Sequence, residues 1–360
     1  MTSNDKCSKA NATFPPVAGA TEVSQFDVAR RAGVSQSAVS RVFRRGASVS
    51  PETREKVLTA AEELGYRANA IARSLATQRT NIIAFVMADL ANAFYARALE
   101  LFANRLQERG YWVLVFKAHE HEADDALLTA LQYNVDGIVV TSATLSSNIA
   151  DECAGRGTPV VLFNRYELNT QASAVCCDNL HAGRMVAGHL VAAGYRRLAY
   201  IAGQEGSSTN RDRETGFAVR LQRLGQASWL REPGDYSYES GYAATGRLLS
   251  RPDRPDALFC ACDMMAFGAI DRALEMGLRV PQDLAVVGFD DIPLAAWPGY
   301  SLTTVRQPIE RMVDATIELL LAATAVPGAE RLLRLVKGSL IVRNSAPLGR
   351  AGAAGEPAGA

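Results

Sequence analysis

From Thr80 onward the chain repeats one pattern that few folds can satisfy. Apolar, β-branched runs of strand length (NIIAFVM, WVLVF, DGIVVT and PVVLF) alternate with helical stretches at 93–109 and 122–134 that end at Gly or Asn. A strand that is apolar at nearly every position has no face to give to water. It belongs in a parallel sheet covered by helices on both sides. A second series follows: RLAYIAG, a helix from about Asn210, DALFCA, a helix from about Asp263, and LAVVGFD. Two such series predict a two-lobed α/β body over 80–346, with ligand space at the carboxyl ends of the strands.

The chain of 360 residues is too long for one ordinary core, and the part before Thr80 reads differently. Residues 1–22 are polar and Pro-containing and are expected to be disordered. Residues 23–66 read as three short helices. The first runs from about Ser24 to Ala32 with Phe26, Val28 and Ala29 inward, and Gly33-Val34-Ser35 breaks it. Ser35 is a good N-cap for a second helix, Gln36 to Phe43, with Ala38, Val39 and Val42 at core spacing. A third opens at Ser50, where Ser-Pro-Glu-Thr supplies the cap, a Pro in the first turn and a carboxylate. It continues through Val57, Leu58, Ala61 and Leu64.

Two helices joined by a short Gly-containing turn are the helix-turn-helix unit, whose second helix enters the major groove. Its outward face here carries Gln36, Ser37, Ser40, Arg41 and Arg44, side chains that reach base edges and phosphates. Lys and Arg match Asp and Glu at 38 each, but Thr21–Thr80 holds ten basic residues against six acidic ones, so the basic end is the N-terminal one. Spacing alone leaves a small solvated basic bundle open as the alternative.

Other classes find less support. The first twenty residues contain no apolar run of signal-peptide length, and nothing downstream approaches a membrane span, so the expected location is the cytoplasm. The six cysteines do not suggest a secreted disulfide framework, Cys176, Cys177, Cys260 and Cys262 fit buried strands better than zinc geometry, and His119-Glu120-His121 fits a solvated loop. Neither metal nor cofactor is expected. No G-x-S-x-G, P-loop, H-E-x-x-H or G-x-G-x-x-G is present. Asp89, Asp178, Asp263 and Asp290 follow strands, so a paired-carboxylate glycosidase is conceivable, but strand-end aspartates more often accept hydrogen bonds from ligand hydroxyls.

Residues 26–76, FDVARRAGVSQSAVSRVFRRGASVSPETREKVLTAAEELGYRANAIARSLA, resemble the DNA-binding head of the lactose/galactose repressor family along their whole length. The resemblance implies that Gln36 and Ser37 choose bases, that Ser40 and Arg41 contact phosphate or base edges, and that 69–76 is a hinge helix that orders on DNA. Asn69 would lie at the start of that hinge, within a 67–79 linker, and Leu75 would wedge between base pairs at the operator centre. Ala68 stands where the family usually has proline. Over 80–345 the resemblance implies the periplasmic-binding-protein architecture, with LTTVRQP at 302–308 crossing back to the first lobe. The same resemblance proposes the effector residues: Asn92 and Phe94 from DLANAFY, with Ala93 in place of proline; Asn164; Thr209 and Arg213; Tyr236; and Asp290 from VVGFDD. Cys262 occupies a usual Asn position, which makes Asp263 the expected helix cap.

The expected protein is therefore a dimeric repressor that binds a pseudo-palindromic operator and responds to a small polar effector, a sugar or, through the extra arginines Arg165 and Arg211, a sugar acid. The AGAAGEPAGA end, within a 347–360 tail expected to be disordered, lacks the leucine heptads of a tetramerising helix. Inducer or corepressor action stays open, as do a solute-binding protein and an enzyme as more distant alternatives. Neither of the last two explains the DNA-binding head.

Overall fold

The computed structural model describes residues 23–43, 47–67, 79–88, 92–118, 123–141, 147–170, 172–325 and 330–349. The chain divides into two units, Met1–Gln78 and Arg79–Ala360. Arg44, Asn69, Leu75, Ala68, Asp89 and the His119–His121 stretch lie outside the described residues, as do residues 1–22 and 350–360.

In the first unit, helices α1 (Gln25–Ala32), α2 (Gln36–Val42) and α3 (Pro51–Glu63) form where their caps predict. Ser24 and Asp27 cap α1 reciprocally, Ser35 caps α2 and Ser50 caps α3. Gly33 ends α1 in the left-handed conformation that the tight turn requires. Val28, Ala29, Val39, Val42, Val57, Ala60 and Ala61 make the core, and the rings of Phe43 and Tyr66 meet edge-on at 5.6 Å. Two inward assignments fail. Phe26 is 61 % exposed because it lies about 160° round the helix from Val28. Leu58 is also exposed, and Ala60 takes the buried place, since an alanine lets the three short helices approach closely.

The second unit contains two six-stranded sheets. Strands β1 (Ile82–Met87), β2 (Trp112–Lys117), β3 (Gly137–Thr141), β4 (Val160–Phe163) and β5 (Ser173–Cys177) belong to the first, and β6 (Leu198–Ile201), β7 (Leu230–Glu232), β8 (Ala257–Cys260), β9 (Ala285–Asp290) and β10 (Thr303–Arg306) to the second. After these, β11 (Leu333–Val336) returns to the first sheet and β12 (Ser339–Ile341) to the second. The orders are β11-β5-β4-β3-β1-β2 and β12-β10-β9-β8-β6-β7, parallel throughout except for the β10–β12 pair.

Strand β1 shows why its apolar run needs two helix layers. Ile83, Phe85 and Met87 enter one core and Ala84 and Val86 the opposite one, all of them fully buried. Helices α4 (Ala93–Glu108), α5 (Ala123–Gln132) and α6 (Ser147–Gly155) serve the first lobe, and α7 (Asn179–Ala192), α8 (Ser208–Arg223), α9 (Tyr238–Leu249) and α10 (Asp263–Glu275) the second. The last, α11 (Ile309–Ala325), leaves β10 and packs back on β3, β4 and β5 of the first sheet. The chain thus crosses between lobes after β5, after β10 and between β11 and β12. Strand β2 departs from the double-covered expectation. It is an edge strand with Trp112 65 % exposed, because no neighbour completes its outer side.

Helices α7 and α8 meet backbone to backbone. A Cβ on Gly183 would lie 2.2 Å from the Arg213 carbonyl oxygen, and one on Gly216 2.2 Å from that of Leu180. Neither neighbour is a side chain that can swing away, so the helices would have to part. Gly183→Ala is expected to destabilise the body by about 1–3 kcal/mol and to displace Arg213. Urea unfolding of the variant beside the wild type measures this; an unchanged midpoint would show that the contact is softer than its geometry.

Candidate functional site

The loops at the carboxyl ends of the strands enclose one cleft of ≈ 800 Å³, part of it open to solvent. Asn92, Phe94, Asn164, Thr209, Arg213, Tyr236 and Asp290 all line it, so the seven effector residues expected from sequence meet in one place. The first lobe contributes the opening of α4, where Asn92 caps the helix by accepting the Phe94 N–H at 3.0 Å. Ala93 is the first helical residue, a position that proline would suit equally. Asn164 follows β4 with φ 65°, and its amide donates to the Tyr95 hydroxyl oxygen at 3.3 Å.

The second lobe supplies the charged groups. Arg213, 2 % exposed, donates from Nε to Asn179 Oδ1 at 2.9 Å and from Nη1 to the Ala261 carbonyl. Its guanidinium lies 3.5 Å from the centroid of the Phe289 ring. Arg213 and Asp290 form no ion pair, although Asp290 is the charge that acts most strongly on the guanidinium. Instead Asp290 Oδ1 accepts from Gln307 Nε2 at 2.7 Å. Burial raises the Asp290 carboxyl to about 6, against the lowering pull of the Arg213 charge and the Gln307 bond. Tyr236, at φ 72°, has its hydroxyl within 2.7 Å of Ser207 Oγ and 2.9 Å of Thr209 Oγ1, which anchors the ring to the start of α8.

Some expectations change. Asp263 is not the cap of α10. Cys262 holds that position without a side-chain bond, and Asp263 is the first helical residue, accepting from the Ile292 N–H and the Thr304 hydroxyl. Cys262 does line the cleft, within 3.3 Å of the Tyr236 carbonyl, and burial pushes its thiol far up. Asp178 caps α7, and burial followed by the nearby Asp290 charge raises the Asp263 carboxyl well above its ordinary range. Arg211 stands outside the cleft, paired with Asp212 and over the Tyr166 ring. Tyr95 and Gln204 were not expected from sequence, although Tyr95 directly follows Phe94.

In the first unit, Gln36, Ser37, Ser40 and Arg41 all lie exposed on α2, on the face opposite Val39 and Val42. Arg41 Nε reaches back toward the Ser37 carbonyl at 3.4 Å, which leaves its other donors outward.

The model for bacterial regulatory proteins of the lacI family matches residues 26–69, and that for a periplasmic binding protein-like domain matches 187–346. The chain is 36 % identical over 329 residues to the HTH-type transcriptional repressor PurR of Erwinia tasmaniensis, covering 89 % of this chain and 95 % of that protein. It belongs to the lacI family. Among solved structures, the Lac repressor dimer bound to operator and the anti-inducer ONPF superposes with a TM-score of 0.82 at 28 % identity, over 91 % of this chain and 100 % of that one. The transcriptional regulator CelR–cellobiose complex gives 0.69 at 32 % identity, over 90 % and 99 %.

A lacI-family chain is a ligand-responsive, DNA-binding transcriptional regulator, and the family's members here are repressors rather than enzymes. No helix among the described residues is long and apolar enough to cross a membrane.

The cleft carboxylate gives this regulator a measurable pH signature. Because Asp290 titrates near 6 in the fold and near its ordinary 3.8 unfolded, it favours the fold below about pH 4. That contribution is lost as pH rises through about 6. Between these limits the wild type should lose stability relative to Asp290→Asn. Parallel urea titrations of both proteins across this range give the difference; identical pH profiles would mean that Asp290 is not desolvated.

Proposed function

We propose that this regulator is a cytoplasmic repressor that occupies a pseudo-palindromic operator as a homodimer and is released when a small polar effector, a sugar or sugar acid, enters the cleft. The observation that carries the reading is the convergence of Asn92, Phe94, Asn164, Thr209, Arg213, Tyr236 and Asp290, from both lobes, on one solvent-accessible cleft. Carboxylate and amide oxygens accept hydroxyl protons, a guanidinium donates, and aromatic faces cover C–H groups. The CelR relative is known with cellobiose and the Lac repressor as an operator-bound dimer, which supports the same assignment here. The same architecture serves a corepressor equally well; operator binding that tightens rather than weakens on addition of effector would select that reading.

In this proposal residues 23–66 read DNA, 67–79 form the hinge, 80–346 bind effector and partner, and the ends are tails. Gln36, Ser37, Ser40, Arg41 and Arg44 face the major groove, Asn69 opens the hinge, and Leu75 wedges at the operator centre. The effector shifts the equilibrium only by its different affinities for the DNA-competent and released states.

Two measurements test the two ends of the mechanism. Arg41→Ala should weaken specific operator binding by about 1–3 kcal/mol; filter binding with unchanged affinity, at unchanged helical content, would remove α2 as the reader. Screening metabolites by thermal shift, then repeating the screen with operator DNA present, identifies the effector and the sign of its action. With that effector in hand, Asp290→Ala and Thr209→Ala should each weaken its binding by about 1–3 kcal/mol by calorimetry. Wild-type affinity in both variants would take the effector out of this cleft.

A further inference from the structure

The two arginines of the cleft keep guanidinium donors that no protein acceptor takes. Among the described residues, Arg213 is the only buried Arg or Lys; Asp290 is the charge that acts on it most strongly, but the two form no ion pair. Two of its five N–H groups are committed, which leaves the rest of the fork without a protein acceptor. Arg165, directly after β4, makes no ion pair either. Its Nη2 donates to Gln204 Oε1 at 2.9 Å, and its Nε is buried without a partner. The acids of the cleft are already engaged: Asp235 accepts from the backbone and hydroxyl of Ser237, and Asp290 accepts from Gln307. One further orphan, Asn164 Oδ1, sits on a side chain only 4 % exposed and lacks a donor.

Buried guanidinium donors without acceptors are costly, and a guanidinium fork matches the two oxygens of a carboxylate. The two arginines also stand on opposite lobes, Arg165 on the first and Arg213 on α8 of the second. These like charges repel each other, and an anion held by both attracts each of them and draws the lobes together.

We propose that the effector is a small hydroxylated carboxylic acid whose carboxylate is held jointly by Arg165 and Arg213, while its hydroxyls donate to Asn164 Oδ1 and Asp290. This rests on reading the cleft as the effector site and narrows it: the anion, rather than the hydroxyls, supplies the force that closes the lobes. A neutral sugar would fill the space without an anion for the open guanidinium donors.

The test uses the full chain and matched neutral and acidic probes at constant ionic strength: glycerol and glycerate, glucose with gluconate and glucuronate, and galactose with galacturonate. Thermal unfolding and calorimetry should show at least one acid binding tenfold or more tightly than its neutral counterpart. Arg165→Gln, whose fold is checked by circular dichroism, should lose that acid's binding by tenfold or more, and Arg165→Lys, which keeps the charge but not the fork, should fall between. Equal or tighter binding of the neutral member, or undiminished acid binding by Arg165→Gln, overturns the anionic assignment and leaves the cleft as the effector site. If neither set binds, the hydroxylated-effector reading itself fails.

Discussion

Arg213 is a buried cation whose environment ties together most of the second lobe. Its chain begins on α8, its Nε holds Asn179 at the start of α7, its Nη1 holds the carbonyl that follows β8, and its plane rests on Phe289 of β9. Each contact comes from a different element, so the guanidinium keeps its place only when all of them are assembled. A charge of this kind costs several kcal/mol to desolvate, and only excellent geometry offsets it. The close approach of α7 and α8 at Gly183 and Gly216 is part of that geometry, because Gly183 lies against the Arg213 backbone itself.

The same region connects the cleft to the segments that join the lobes. Asp290 and Asp291 follow each other at φ 121° and 56°, conformations that non-glycine residues adopt only when surrounding contacts impose them. Asp290 accepts from Gln307, which lies on the crossing between β10 and α11. Asp291, its side chain 5 % exposed, receives Arg306 at 2.6 Å and Arg343 at 2.7 Å, anchoring the crossing strand and the chain beyond β12. Farther along, His189 Nε2 lies 2.8 Å from the Ala346 carbonyl and Ser345 bonds to Thr303 and Val286, so the C-terminal segment is built into the second lobe. The cleft carboxylate and the inter-lobe crossing therefore share a hydrogen bond.

Much of this was legible in the residues because it depends on local chemistry. Ser24, Ser35 and Ser50 announce helix starts through a hydrogen bond within three residues, and all three are caps. The β1 run is apolar at every position because both of its faces are buried. Phe26, Leu58 and Trp112 are the counterexamples: each is large and apolar, yet exposure depends on which neighbours the fold supplies. Asp263 shows the same limit for a polar group. A carboxylate beside a helix start looks like a cap, but here it reaches β10 and the turn after β9 instead.

The sequence by itself determined the DNA-reading head, the alternation that makes two parallel α/β lobes, and, through its likeness to the lactose/galactose repressors, the seven residues that meet in the cleft. These follow from spacing, capping and side-chain type, all of which are local in the chain or shared with relatives. Tertiary structure alone decided that β11 completes the first sheet, that Arg211 stands outside the cleft while Arg165 stands inside it, and that Arg213 forms no ion pair. Those outcomes depend on contacts between elements far apart in sequence, and on which polar group reaches a partner first once the backbone has brought them together. No periodicity or motif records that competition.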